Sequence, residues 1–128
     1  MKIKLTNVMV DDQDKALKFY TEVLGFVKKK DMPMGGAKWL TVVSPDEQDS
    51  TELLLEPMGI PAANVFQKAL FDAGIPYTAF EVDNIQEEYK RLKDLGVVFR
   101  GEPTRMEGMP EMVSFEDTCG NLILIYQL

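Results

Sequence analysis

From Lys2 to Val10 polar and apolar side chains alternate. Thr6, Val8 and Val10 fall on one side of an extended chain, and Leu5, Asn7 and Met9 on the other. A period of two predicts a strand with unlike faces. After Asp12, a good helix cap, the period lengthens and Ala16, Tyr20, Val23 and Leu24 form one stripe, so a helix follows and stops at Gly25. Phe26–Lys30 reads as a second strand and Asp31–Ala37, with its Pro and Gly-Gly, as a loop. Trp39–Ser44 and Thr51–Glu56 read as two further strands, and this first module ends near Pro57. Pro61 suits a first helical turn and Gly74 a helix stop. A linker over about 61–73 is therefore expected to hold a helix from about Ala62 to Asp72, with Val65, Phe66, Ala69 and Leu70 on its apolar side.

The pattern then repeats. Laying Leu5–Thr21 over Tyr77–Lys93 at an offset of 72 places Val10 on Val82, Asp11 on Asp83, Asp12 on Asn84 and Leu17 on Tyr89; Gly25 and Gly96 agree to within one residue. Tyr77–Val82 is expected to be a strand, and Asn84 with Glu87 three residues on gives a capping-box pattern. Val97–Arg100, Met112–Glu116 and Leu122–Tyr126 complete a second module over about 77–128, its last two strands joined by the turn DTCGN. Residues 1–128 thus read as one domain made of two copies of strand, helix and three strands.

Composition narrows the chemistry. The 128 residues contain no histidine, which removes the commonest transition-metal ligand and any Ser–His–Asp or Cys–His centre. A single cysteine, Cys119, excludes an internal disulfide, and its place in a tight turn argues against a catalytic role. The formal net charge of −7 argues against nucleic acid, and the one basic cluster, Lys28–Lys30, reads as a solvated strand end. No apolar run approaches the roughly 20 residues of a membrane span. The acidic residues close to the N-terminus do not suit a signal peptide, so the cytoplasm is the expected location.

Four stretches carry a family resemblance: VDDQDKALKFYTEVLGF at 10–26, TELLLEP at 51–57, AFEVDNIQEEYKRLKDLGV at 79–97 and FEDTCGNLILIYQ at 115–127. Together they resemble the vicinal oxygen chelate superfamily, which includes glyoxalase I, extradiol dioxygenases and bleomycin-resistance proteins. The resemblance implies an α+β fold of two tandem βαβββ modules forming a cup-shaped mixed sheet with helices on the outer face. It also implies a homodimer, with cups built from modules of one chain or of two. In metal-dependent relatives four cup-facing positions hold the ion. Carried onto this chain they are Leu5 and Tyr77 in the first strands and Glu52 and Leu124 in the fourth, each pair related by the same offset of 72. Only Glu52 is a good ligand; a two-residue shift of the first strand brings in Asn7, at most one weak oxygen. No metal or other cofactor is therefore expected.

Alternation divides the strands into two faces. Val8, Val10, Leu40, Val42, Leu53, Leu55, Phe80, Val82, Phe115, Ile123 and Ile125 are expected under the helices. The other face gathers Asn7, Met9, Trp39, Thr41, Glu52, Tyr77, Leu124 and Tyr126, apolar walls with a few polar handles, as in ligand pockets. Glu52 is the one catalytic candidate. It is either solvated, paired with a lysine, a hydrogen-bond acceptor for a ligand, or a base whose pKa an apolar cup raises. Asn7 and Thr41 either orient a ligand or satisfy strand neighbours, and Trp39, Tyr77 and Tyr126 either stack on one or pack internally. Methionines 32, 34, 106, 109 and 112 cluster in two equivalent loops that suit an adaptable rim.

The reading favoured by these residues is metal-independent capture of a small apolar or aromatic molecule between the module faces, stacked by Trp39 or Tyr126 and oriented by Glu52 and Asn7. The alternative is a lyase, isomerase or dioxygenase-type enzyme with Glu52 as proton shuttle. A module serving only as a dimeric scaffold is the third.

Overall fold

Helix formation begins where a side chain can satisfy the free amides of a first turn. The computed structural model, which describes all residues Met1–Leu128, shows this at both expected caps. Asp12 Oδ1 accepts from Lys15 N at 2.9 Å ahead of α1 (Gln13–Lys18), and Asn84 Oδ1 accepts from Glu87 N at 3.1 Å ahead of α3 (Ile85–Asp94). The chain runs on from α1 into a π-helical turn over Phe19–Val23, then stops at Gly25, whose φ of 91° suits glycine. The expected linker helix is α2, Pro61–Asp72. No helix is long and apolar enough to cross a membrane.

Residue contacts divide the chain into two units, Met1–Val65 and Phe66–Leu128. The first carries a four-stranded sheet in the order β1 (Leu5–Val10), β4 (Glu52–Pro57), β3 (Ala37–Val43), β2 (Val27–Met34). β1 and β4 run parallel with Leu5 opposite Glu52, and the other pairs are antiparallel. The face expected under the helix is buried: Val8, Val10, Leu40, Val42, Leu53 and Leu55 are closed off from solvent, as are Ala16 and Tyr20 of the helical segment, and α1 lies against β3 and β4. Fully burying a side chain of this size contributes about 1.5–3 kcal/mol.

One expected loop is a hairpin. Asp31–Met34 continue β2, and only Gly35 and Gly36, with φ of 53° and 83°, make the turn. Two consecutive left-handed residues give a tight turn whose twist matches the strands, so no longer loop is needed. Pro33 is tolerated because β2 is an edge strand.

The second unit holds a three-stranded sheet in the order β5 (Thr78–Glu81), β7 (Leu122–Gln127), β6 (Glu111–Glu116). The strand expected over Val97–Arg100 is reduced to a single bridge between Phe99 and Phe115. Gly96 and Gly101, with φ of 86° and 106°, bracket this segment, whose backbone bonds run from Arg100 N to Ser114 O and from Glu116 N to Val98 O, each at 2.8 Å. The ring of Phe99 adds to this, 4.6 Å from Tyr89 and 5.6 Å from Phe115.

The turn between β6 and β7 is fixed from inside. Asp117 is fully buried; its Oδ1 accepts from Cys119 N at 2.8 Å and Asn121 N at 3.0 Å, and its Oδ2 from Asn121 Nδ2 at 2.8 Å. Gln67 of α2 donates to Cys119 O at 3.0 Å and Asn121 Oδ1 at 3.1 Å. Gly120 has a φ of 96°, which strains any other residue, and a Cβ there would meet Gln67 Oε1 at 2.6 Å and disturb its hydrogen bonds to the turn. Asp117, Cys119 and Asn121 therefore belong to the architecture.

Candidate functional site

Strand alternation that sends Val8, Leu53 and Leu55 to the helix side sends Asn7, Met9, Trp39, Thr41, Glu52 and Glu56 to the other face of the first sheet, uncovered by α1 although Thr41 and Leu54 are themselves buried on it. The pairings fix the neighbours. Asn7 stands opposite Leu54, Met9 opposite Glu56, Thr41 opposite both Leu54 and Lys30, and Trp39 opposite Met32.

Glu52 is fully engaged. Its Oε1 accepts from the Thr41 hydroxyl at 2.7 Å and its Oε2 from Lys30 Nζ at 3.2 Å, while Thr41 Oγ1 accepts from Lys30 N at 3.2 Å. Only 17% of the Glu52 side chain remains exposed. The Thr41 hydrogen bond holds the carboxyl below the ordinary value of 4.5; burial opposes this, and Lys30 and Lys29 reinforce it. The expectation of a base raised by an apolar cup is thereby overturned. The lysine pairing weighed beside it is present.

Asn7 does not turn to Glu52 but donates from Nδ2 to Glu56 Oε2. Glu56, which alternation alone places in line with Glu52 and Leu54, is thus a second carboxylate on this face that the sequence reading missed. Gln13 is another omission. Its Nε2 donates to Lys38 O at 2.8 Å and Leu55 O at 2.9 Å, and its Oε1 accepts from Lys38 N at 3.0 Å. One helix side chain therefore bridges β3 and β4 where their direct pairing, confined to Thr41–Leu54 and Val42–Leu53, has ended. On the opposite face Trp39 and Glu56 stand on either side of that opening, one on each strand.

In the second sheet Leu124 lies between Ala79 and Ser114, and Tyr126 between Glu81 and Met112, all on the uncovered face. Tyr77 precedes β5, is bonded through its N to Leu122 O at 2.8 Å, and packs its ring edge-on at 6.3 Å from Phe66. The single offset of 72 does not survive the fourth strands. Leu5 faces Glu52, but Tyr77 aligns with Leu122, and Leu124 pairs with Ala79. A slip of two residues preserves the face and leaves the chemistry unchanged, since Leu122 and Leu124 are both hydrocarbon.

The residues present do not suit a divalent metal. Leu5, Leu122 and Leu124 have no donor, the Tyr77 phenol is a poor one, each oxygen of Glu52 already accepts a hydrogen bond, and no group of three or more His, Cys, Asp or Glu side chains is arranged to hold an ion.

Comparison with known proteins places the fold in a family. The chain is 58% identical over 127 residues to the uncharacterized protein YurT of Bacillus subtilis (strain 168), covering 99% of each. The solved structure of UcmS2 superposes with a TM-score of 0.83 at 31% identity, covering 98% of this chain and 97% of that one. That of TnmS3, described as an antibiotic binding protein from Streptomyces sp. CB03234, gives 0.78 at 27%, covering 99% and 95%. A family model matches residues 2–125, and the chain belongs to the Glyoxalase/Bleomycin resistance protein/Dioxygenase superfamily.

Proposed function

We propose that the protein binds a small apolar or aromatic molecule on the uncovered sheet face around Trp39 without a metal ion and without transforming it. The observation that carries this reading is the state of Glu52. A carboxylate held by Thr41 and Lys30, with its pKa drawn down, has weak proton affinity and a lysine already as its counter-ion. The same observation counts against the alternative of a lyase, isomerase or dioxygenase-type enzyme using Glu52 as shuttle. Trp39, Met9 and Met32 offer an aromatic surface and soft thioethers, while Asn7 and Glu56 supply a polar handle. Likeness to a protein described as antibiotic-binding supports the same direction. Leu124, Tyr126 and Tyr77 give the second sheet a ligand-facing surface of its own in this proposal, and a homodimer in the cytoplasm is part of it.

Trp39 is the only tryptophan, so intrinsic fluorescence reports on this face directly. Titrating the EDTA-dialysed protein with polycyclic aromatic antibiotics is expected to give saturable quenching with at least one, and the compound is expected to be recovered unchanged. Quenching that appears only after a divalent metal is restored, or a chemically altered compound, would overturn the reading.

A further inference from the structure

The two carboxylates of the first sheet differ in a way that bears on ligand charge. Glu52 is neutralised by Lys30. Glu56, two pleats along the same face, is oriented by an uncharged amide, and none of the chain's ion pairs includes it. The lysines on the neighbouring strands are committed elsewhere: Lys30 to Glu52 and Lys38 to Asp14 at 2.8 Å. Asn7 takes Oε2 of Glu56, which fixes the carboxylate plane and leaves Oε1 for another donor. Across the opening that Gln13 holds between β3 and β4 stands Trp39, the side chain best suited to the face of a delocalised cation. The chain's net charge of −7 adds an attractive long-range field.

Resting on the binding reading above, we infer that this face selects planar organic cations, with Glu56 as their counter-ion, Trp39 as the stacking surface and Asn7 as a positioning residue. A neutral amide holding a carboxylate keeps its charge available; a lysine in the place of Asn7 would cancel it. Glu56 thus recognises charge, while Glu52 serves to knit β2, β3 and β4 together.

The test uses two probes of one shape and different charge, 1-methylquinolinium and 1-methylnaphthalene, titrated against the full chain by Trp39 fluorescence. The cation is expected to bind about tenfold tighter than its neutral isostere to the wild type. Glu56→Gln, which keeps size and an acceptor for Asn7, is expected to bring the two within about twofold, with an unchanged melting temperature. In the wild type the preference is expected to shrink as salt rises from 50 to 500 mM, a readout that needs no variant. Equal binding of both probes, or a preference that survives Glu56→Gln or high salt, overturns the charge assignment and leaves the binding reading standing. Failure of the cationic probe to quench Trp39 overturns the charge assignment too, whereas the binding reading falls only if the antibiotic titration fails as well.

Discussion

Glu52 and Glu56 show how strongly a partner decides what a carboxylate can do. Both lie on β4, four residues apart and on one pleated face. One accepts from a hydroxyl and an ammonium, the other from an amide. Because the folded-state pKa of Glu52 is depressed, its contribution to stability is present above the ordinary value near 4.5 and is lost as pH falls through the lower folded value. Glu52→Gln is therefore expected to cost about 1 kcal/mol at pH 7, a modest figure for a partly exposed ion pair, and to cost less at pH 3. Chemical denaturation at the two pH values checks it; an equal or larger deficit at pH 3 would contradict the assignment. Legibility at this scale was uneven. Alternation alone puts Glu52, Leu54 and Glu56 on one face, but the Asn7–Glu56 bond spans 49 residues and has no local periodic signature.

Among the elements, the strand–helix connection that precedes α1 has a second task. Capping by Asp12 fixes the first helical turn, and that turn places Gln13 where its amide can bond β3 and β4 together. Gln13→Ala removes three hydrogen bonds to strand backbone and leaves buried polar groups short of partners, which is expected to cost about 1–3 kcal/mol. It is also expected to shift Trp39 emission, since Trp39 adjoins the bonded Lys38. An unchanged unfolding midpoint and spectrum would show that the clamp is dispensable. Helix caps, glycine stops and the buried strand faces were legible because each has a local signature. The β2–β3 hairpin was not, because Pro33 and the paired glycines 35 and 36 resemble loop composition while two left-handed residues suffice for the turn. Val97–Arg100 erred in the other direction: Phe99 supplied the apolar signal of a strand but uses it against Tyr89 and Phe115.

At the scale of the whole chain, the duplicated strand–helix pattern is the feature from which the rest was read. It located both helical caps and the strands that open both modules, yet its uniform offset failed by two residues at the fourth strands. That failure is harmless to the chemistry because strand faces repeat every second residue. What the duplication retains is a pair of sheets with uncovered faces; what it lacks is a set of donors able to share a cation. Elemental analysis of protein purified without chelators tests that claim most directly. Far less than one equivalent of Zn, Ni, Mn or Fe per chain and an unfolding midpoint unmoved by EDTA are expected, whereas about one tightly held metal per chain, released by Glu52→Gln, would contradict the claim.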